Sequence, residues 1–228
     1  MLIYAHRGAS TDFKEGSKAA YIDAITQGAD GFECDVRLTK DKQIICYHDS
    51  NTSRLSNIDL KISKSSYEEL KEKVDPYLLE ELLELAISNK KDLVIELKHP
   101  VLTGALIEKL VHKLLKTRQA EIKASGIQIS LISFSFLATL RNLKSGYQTG
   151  YLVKNLNLIR FNPAPVIALS IEILRQNPGV VAEQHKRGKK VFIWTVNEAE
   201  DLDLCSKVGV DIIVTDYPAV AKRFLSEF

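Results

Sequence analysis

The feature that most constrains this chain is a regular alternation between short apolar runs and amphipathic segments of helical period. Residues 79–87 show the helical pattern best, with apolar side chains at i, i+3, i+4, i+7 and i+8. The apolar runs between such segments are short or alternate with period two, which indicates strands. The predicted strands span residues 2–6, 31–36, 44–48, 92–98, 129–133, 147–153, 166–171, 191–196 and 211–215. The predicted helices span residues 15–27, 79–87, 107–115, 137–143, 180–187, 198–207 and 219–228.

This alternation of strands and helices predicts a parallel sheet with right-handed crossover connections. About eight strand–helix units fit into 228 residues, so a closed TIM (β/α)₈ barrel in a single domain, residues 1–228, fits better than an open doubly wound sheet. Gly8 and Gly16 do not form the G-x-G-x-x-G fingerprint of a dinucleotide-binding sheet. We expect the strand at 44–48 to be a short irregular excursion after strand two, and residues 49–75 to form a polar loop or small lid.

Composition limits the partners and the compartment. The chain has 31 Lys and Arg against 29 Asp and Glu, and this balance gives no reason to expect nucleic acid or an anionic membrane as the main partner. Three cysteines cannot form a complete disulfide set, which favours a reducing, cytoplasmic setting. No stretch approaches the roughly 18 apolar residues of a membrane span, and the first apolar run ends too early for a signal peptide. The oligomeric state is left open.

Acidic residues lie on the strands predicted at 31–36 and 92–98. Period two places Glu33 and Asp35 on one face of the first of these strands, and Glu96 with Lys98 on one face of the second. If these faces point into the barrel, three carboxylates converge and repel each other unless they are protonated or bridged by a cation. Ligation by oxygen alone favours Mg²⁺ or Ca²⁺, with Mn²⁺ as a third choice.

The alternative is a network of ion pairs with Arg7, Lys98 and Arg37, and for an isolated Glu-x-Asp this would be the better interpretation. Two inward pairs beside His6 and His48, each at a predicted strand end, favour the metal site instead. Imidazole exchanges protons near neutral pH, and cations stabilise the charge that develops on a phosphate. Phosphoryl transfer is the chemistry that this combination predicts.

The motifs along the chain resemble those of the glycerophosphodiester phosphodiesterase family, from residue 3 to about residue 218. They are His6-Arg7-Gly8, Glu15, Glu33-x-Asp35, Thr39-x-Asp41, His48-Asp49, Glu96-Leu-Lys98, Trp194-Thr-Val-Asn197 and Thr215-Asp-Tyr-Pro218. The resemblance implies a TIM barrel and a metal-dependent hydrolase that cleaves a small glycerophosphodiester into sn-glycerol 3-phosphate and an alcohol.

The resemblance also implies roles for individual residues. Glu33, Asp35 and Glu96 would hold the metal, His6 and His48 would be general acid and base, and Arg7 and Lys98 would bind the phosphate. Which histidine is the acid is left open.

Glu15, Gly16 and Trp194 need separate comment. Glu15 matches the family and would support the site, but Gly16-Ser17 stands where the family usually has Asn-Thr. Trp194 lies two residues after Phe192, so the two side chains are predicted to share one face of the strand. Trp194 therefore either fills the barrel or offers a platform for the glycerol carbons.

The sequence also bears on three other functions. A phospholipase-type barrel would act on a lysophospholipid or phosphoinositide, but residues 49–75 lack an aromatic or basic amphipathic stretch, so we expect no stable membrane association. A zinc amidohydrolase would open with His-x-His on its first strand, which this chain lacks. An inactive binding module would have lost a histidine or a carboxylate, and none is missing.

Overall fold

The computed structural model describes residues 1–101 and 103–226. Its strands are β1 (Leu2–His6), β2 (Gly31–Leu38), β3 (Ile44–Cys46), β4 (Asp92–Leu97), β5 (Ile129–Ser133), β6 (Gln148–Val153), β7 (Val166–Ser170), β8 (Lys190–Trp194) and β9 (Ile212–Thr215). All of them except β3 pair in parallel and close into a ring, in which β1 joins β9 on one side and β2 on the other. The ring has eight parallel strands, which confirms the predicted TIM barrel.

Helices surround the ring. They are α1 (Lys18–Thr26), α2 (Tyr67–Val74), α3 (Leu79–Ser88), α4 (Leu106–Thr117), α5 (Gln119–Ser125), α6 (Phe136–Asn142), α7 (Ile171–Gln176), α8 (Val180–Lys186), α9 (Ala199–Val208) and α10 (Pro218–Ser226). Short 3₁₀ helices lie at Ile62–Lys64 and Leu156–Phe161. None of the helices in the described ranges is long and apolar enough to cross a membrane. The last two residues of the helix predicted at 219–228 lie outside the described residues.

Side-chain alternation along the strands separates an outer core from an inner one. On β2, Phe32, Cys34 and Val36 are fully buried in the core between the sheet and the helices. The inner core of the barrel consists of Tyr4, Val94, Ile132, Leu152, Val166, Ala168, Phe192, Ile212 and Val214. The residues between the outward positions of β2 therefore point into the barrel, as the period-two pattern predicts.

β3 lies outside the ring and pairs antiparallel with the end of β2, at Val36–Cys46 and Leu38–Ile44. The predicted excursion after strand two is therefore present. The prediction of a polar loop over residues 49–75 was wrong in part, because α2 and a 3₁₀ helix form there. The two buried residues of α2, Leu70 and Val74, pack with Ile45 in a separate small core, although the spacing alone is too sparse to predict a helix.

Residues 154–165, over which no helix is predicted, connect β6 to β7 through a 3₁₀ helix. Two other segments differ from the predictions. The helical pattern predicted at 107–115 is followed by a second helix, α5, which ends at Gly126 in the left-handed conformation. The strand predicted at 166–171 ends one residue early, and Ile171 begins α7.

Gly8 allows the loop after β1 to pack against α1. It has φ +87°, and a Cβ added there would lie 2.6 Å from the backbone carbon of Ala20. We expect Gly8→Ala to lower the free energy of unfolding by about 2–4 kcal/mol, the combined effect of left-handed backbone strain and overpacking. Gly146→Ala is the matched control, because its φ is +82° but nothing lies within 4 Å of the added Cβ. Equal losses in urea-unfolding experiments on the two variants would contradict the steric explanation.

Candidate active site

The predicted site residues come together at the carboxyl ends of the barrel strands. His6 is the last residue of β1, Glu33 and Asp35 lie on β2, and Glu96 lies near the end of β4. Lys98 follows β4 directly, and its amide lies 3.5 Å from the carbonyl oxygen of Val36. In TIM barrels this end of the ring carries the active site. The cavity there is lined on its polar side by His6, Arg7, Glu33, His48, Glu96 and Lys98.

Three buried carboxylates form the centre of the site. One oxygen from each of Glu33, Asp35 and Glu96 lies within 4.8 Å of the others, and the three residues are 5%, 2% and 8% exposed. The Nε atom of Arg7 lies 2.7 Å from Asp35 Oδ2. Lys98 Nζ lies 2.7 Å from both Asp35 Oδ1 and Glu96 Oε1. Glu33 Oε2 is buried and has no hydrogen-bond partner among the described residues.

The charges in this cluster perturb one another. Burial, followed by the charge of Asp35, raises the pKa of Glu33 well above its usual range. The same two causes raise the pKa of Glu96 to about 7. Burial also acts to raise the pKa of Asp35, but Arg7 and Lys98 outweigh it and lower that pKa. Two carboxyls that resist ionisation beside a third that is ionised make a site that a divalent cation would stabilise.

The ion-pair alternative is only partly realised. Arg7 and Lys98 do pair with the cluster, but Arg37 instead donates its Nε–H to the carbonyl oxygen of His48 at 2.9 Å. Two cations face three carboxylates, and Arg7 is shared with Glu15, to which its Nη1 donates at 3.0 Å. The ion pairs therefore leave Glu33 uncompensated, which fits cation binding by these oxygen ligands.

His6 is held by the carboxylate of Asp216, which follows β9. Its Nδ1 lies 2.7 Å from Asp216 Oδ1, and the other oxygen of Asp216 accepts from Asn197 Nδ2 at 2.7 Å. Ser10 Oγ donates to Asp216 Oδ1 at 2.8 Å. Burial opposes ionisation of Asp216, but the hydrogen bond and charge of His6 prevail and lower its pKa to about 2. An ionised Asp216 therefore orients the His6 ring through Nδ1, while Nε2 has no hydrogen-bond partner among the described residues.

His48 is held by Asp49, which in turn pairs with Arg54; both residues follow β3 in the chain. Its Nδ1 lies 2.8 Å from Asp49 Oδ1, and Asp49 also accepts from Arg54 Nε at 2.5 Å. Arg54 donates two further hydrogen bonds to the carboxylate of Glu15, at 2.6 and 2.9 Å. Burial lowers the pKa of His48. Glu15 thus links Arg7 to Arg54 through its carboxylate.

The backbone after β1 is constrained at Arg7. This residue has φ +57°, in the region that non-glycine residues rarely occupy. Its amide donates to the carbonyl oxygen of Glu33 at 3.0 Å, and its own carbonyl accepts from Gly16 N at 2.8 Å. Gly16 has φ +71°, and Ser17 caps α1 through a hydrogen bond from Ala20 N. The departure at Gly16-Ser17 therefore keeps the turn and the helix cap.

The remaining wall of the cavity is apolar. Trp194 ends β8, and its ring meets that of Phe134 edge-on with centroids 5.9 Å apart. Both residues line the cavity, and Trp194 Nε1 has no hydrogen-bond partner in the described part of the chain. Lys154 Nζ lies 4.5 Å from the centre of the Phe134 ring. Trp194 therefore faces the cavity at its mouth, above the inner core.

Six contributors to the site receive no role from the sequence: Ser10, Asp49, Arg54, Phe134, Asn197 and Asp216. Asp216 directly follows a strand, a position at which functional side chains collect in barrels, and this signal could have found it. Arg54 carries no comparable signal, because its contacts depend on how the excursion folds over the barrel.

The fold and the site together define a parallel-barrel protein whose strand ends carry a buried cluster of three carboxylates beside Arg7, Lys98 and two histidines. The family model of the glycerophosphoryl diester phosphodiesterase family matches residues 6–220, and the chain belongs to this family. The resemblance seen in the sequence motifs is thereby confirmed.

Similar proteins cover the chain almost completely. "Probable glycerophosphodiester phosphodiesterase 1" of Mycobacterium tuberculosis is 30% identical over 253 residues, which cover 99% of this chain and 92% of that protein. A glycerophosphodiester phosphodiesterase of Caldanaerobacter subterraneus subsp. tengcongensis is 32% identical, with 95% and 94% covered. The crystal structure of a glycerophosphodiester phosphodiesterase from Thermotoga maritima superposes with a TM-score of 0.83 at 25% identity, covering 98% and 97% of the two chains.

Proposed function

We propose that this protein is a metal-dependent glycerophosphodiester phosphodiesterase that forms sn-glycerol 3-phosphate and an alcohol. The observation that carries the proposal is the buried cluster of Glu33, Asp35 and Glu96, in which Glu33 has no ion pair with Arg7 or Lys98, at a cavity that His6 and His48 also line. Membership of the family supports the enzyme class. The substrate is a small molecule whose phosphate lies against the cluster and whose carbon atoms reach the apolar wall.

Glu33, Asp35 and Glu96 would hold the divalent cation, with Mg²⁺ and Ca²⁺ as the first candidates and Mn²⁺ as the third. The raised pKa values of Glu33 and Glu96 and the unpartnered Oε2 of Glu33 support this assignment. When bound, the cation supplies polarisation of a phosphoryl oxygen and neutralisation of negative charge.

Arg7 and Lys98 would bind the non-bridging phosphate oxygens. Each now shares its charge with carboxylates of the cluster, and each retains N–H groups that can donate to an anion. Since both side chains are fixed by Asp35, they are positioned before substrate arrives. Trp194 and Phe134 would contact the carbon atoms of the substrate.

His6 and His48 would exchange protons with the attacking and leaving oxygens. Displacement at phosphorus needs a base on one side and an acid on the other. Asp216 holds His6 and Asp49 holds His48, each through Nδ1, so both rings can present Nε2 to the substrate. The division of the two roles between the histidines is not assigned.

The proposed activity is tested by incubating the purified chain with glycerophosphocholine and glycerophosphoethanolamine, with and without EDTA. Enzymatic detection of sn-glycerol 3-phosphate and of the free alcohol shows which bond breaks. We expect both products in equal amounts, and none with EDTA. Release of phosphocholine in place of choline would contradict the assigned bond cleavage.

Asp216 provides a further test of the proton-transfer site. We expect Asp216→Asn to lower kcat by on the order of 10²-fold with little change in KM, because the His6 ring loses the charged group that orients it. Asp211→Asn is the matched control. Asp211 Oδ2 lies 2.8 Å from His185 Nε2, and neither residue lines the active-site cavity. Similar kcat values for the two variants would exclude a positioning role for Asp216.

A lysophospholipid remains a second candidate substrate, because one observation favours it. Residues 49–75 contain no aromatic amphipathic stretch, but Leu137 and Phe161 are 63% and 58% exposed elsewhere. Leu137 and the exposed Phe136 follow shortly after Phe134, which lines the cavity. Release of choline from lysophosphatidylcholine at a rate above that from glycerophosphocholine would support this substrate.

A further inference from the structure

A second cavity lies beside the active site. Residues between 37 and 63 line one side of it, and residues 100, 101 and 103, which follow β4, line the other together with Ile107 of α4. Its volume is about 230 Å³, compared with about 70 Å³ for the active-site cavity. Its polar lining includes Arg37, Lys42, Lys61, Ser50, Ser63 and Thr103. Within the described part of the chain, no Asp or Glu lines it. The cavity therefore combines three cations with hydroxyl groups and has no carboxylate to balance them.

The lysines and the serine and threonine hydroxyls named in this lining form no ion pair or side-chain hydrogen bond within the described residues. Lys42 and Lys61 make no ion pair there, and Lys42 has only an electrostatic interaction with the exposed Asp41. Among residues 1–101 and 103–226, the hydroxyls of Ser50, Ser63 and Thr103 have no hydrogen-bond partner either. This leaves several donors around one cavity without an acceptor.

Arg37 connects this cavity to the active site. Its Nε donates to the carbonyl oxygen of His48 at 2.9 Å, and its terminal nitrogens have no hydrogen-bond partner in the described ranges. The charges of Asp35, Asp49 and Glu96 act on Arg37 from the active-site side. Its terminal N–H groups thus remain available to a ligand, while its Nε–H holds the backbone of a proposed catalytic residue.

We propose that this cavity is a second anion site that binds a phosphate group, either as inorganic phosphate or as a phosphate monoester. Hydroxyl donors and three cations around one volume match the several oxygens of a tetrahedral dianion. The proposal does not depend on hydrolysis at the active site. An anion bound here would contact the segment that carries His48 without entering the catalytic cavity.

The site is tested by titrating the ¹⁵N-labelled full chain with inorganic phosphate and, separately, with sn-glycerol 3-phosphate at constant ionic strength. We expect saturable amide shifts at Ile62, Ser63 and Thr103. Tighter binding of the monoester at these amides would support a phosphorylated metabolite as the ligand, and tighter binding of inorganic phosphate would support the free anion.

Two double variants separate site binding from overall charge. Lys42→Gln/Lys61→Gln should weaken phosphate binding at these amides at least roughly tenfold, because charge-assisted hydrogen bonds are lost. Lys40→Gln/Lys64→Gln removes the same net charge from exposed residues of the same region that do not line the cavity, and should leave the affinity unchanged. The four lysines are exposed, so thermal unfolding should confirm that both variants fold.

Absence of saturable shifts at the three amides would overturn the proposal, as would equal affinities in the two double variants. Shifts confined to His6 and Arg7 would also overturn it, because phosphate would then bind in the active site alone. Failure of the chain to hydrolyse glycerophosphodiesters, with the lysine-dependent shifts intact, would count against the proposed function and support the second site.

Discussion

Replacing either His6 or His48 by alanine is expected to lower kcat by roughly 10²–10⁴-fold, the usual effect of losing one proton-transfer group. The double variant should lose much less than the product of the two effects, since groups that act on one transition state are not additive. Steady-state kinetics on glycerophosphocholine measures all three variants. His112→Ala is the control, because His112 contacts Asn142 on the helix layer at 2.9 Å.

The leaving group identifies the acid. A diester that releases p-nitrophenolate needs no protonation at the leaving oxygen, so it should restore turnover in whichever variant lost the acid. The variant that lost the base should stay slow with this substrate. Rescue of neither variant, together with near-normal turnover of the natural diester in both, would exclude the two histidines from proton transfer.

The pH profile should be bell-shaped, because one imidazole must be neutral and the other protonated. Burial lowers the pKa of His48, so its neutral form persists to lower pH than that of an exposed histidine. If His48 is the base, the acidic limb lies below the ordinary imidazole pKa of about 6.5 and disappears in His48→Ala. Asp216 stays ionised across this range, since its pKa is about 2.

The second large effect is expected at Glu33. Glu33→Gln should reduce affinity for Mg²⁺ and Ca²⁺ by at least about 100-fold. Loss of a residue that only supports a metal ligand already costs roughly 10–100-fold in metal affinity, and loss of a direct ligand should cost no less. Glu33 makes no ion pair with Arg7 or Lys98, so glutamine leaves no cation unpaired. Isothermal titration calorimetry compares the variant with the wild-type chain, and equal affinities would remove Glu33 from the metal site.

Stability of the metal-free protein distinguishes Glu33 from Asp35. Folding raises the pKa of Glu33, so the native state holds its proton longer and loses stability as pH rises above the unfolded value. Metal-free Glu33→Gln should therefore unfold at the same temperature as wild type or higher at pH 8. Asp35→Asn should unfold at a lower temperature, because Arg7 and Lys98 lose the carboxylate that both contact.

Metal affinity should also depend on pH. Since burial and Asp35 raise the pKa of Glu96 to about 7, protons compete with the cation at this carboxylate. Affinity should rise as pH increases from 6 to 8, and calorimetry in buffers of different ionisation enthalpy should detect proton release. Glu96→Gln should lose most of this dependence, provided that residual binding is measurable.

The sequence predicts the acidic cluster well, because period two fixes which side chains share a face and the barrel fixes where those faces point. The convergence of Glu33, Asp35 and Glu96 can therefore be predicted without knowing how the turns between the strands fold. The strands of the ring can be predicted for a different reason: buried parallel strands are nearly continuous apolar runs, which stand out in the sequence.

The parts that sequence could not predict depend on contacts between distant segments. Asp216 meets His6 across 210 positions, and Arg54 reaches Glu15 only because the excursion folds back over the barrel. α2 was missed because it has only two buried apolar residues, which pack into a small core of their own. In each case the interaction is set by tertiary packing, which local propensity does not encode.

The most direct test is restoration of activity in the chelated enzyme. After EDTA treatment and dialysis, wild-type protein is titrated with Mg²⁺, Ca²⁺ or Mn²⁺ while release of sn-glycerol 3-phosphate from glycerophosphocholine is followed. We predict that turnover is absent at the start, returns with a single saturable dependence on at least one of these ions, and requires far more metal in Glu33→Gln. Full turnover in the chelated enzyme, or identical metal dependence in Glu33→Gln, would contradict a cation held by Glu33, Asp35 and Glu96.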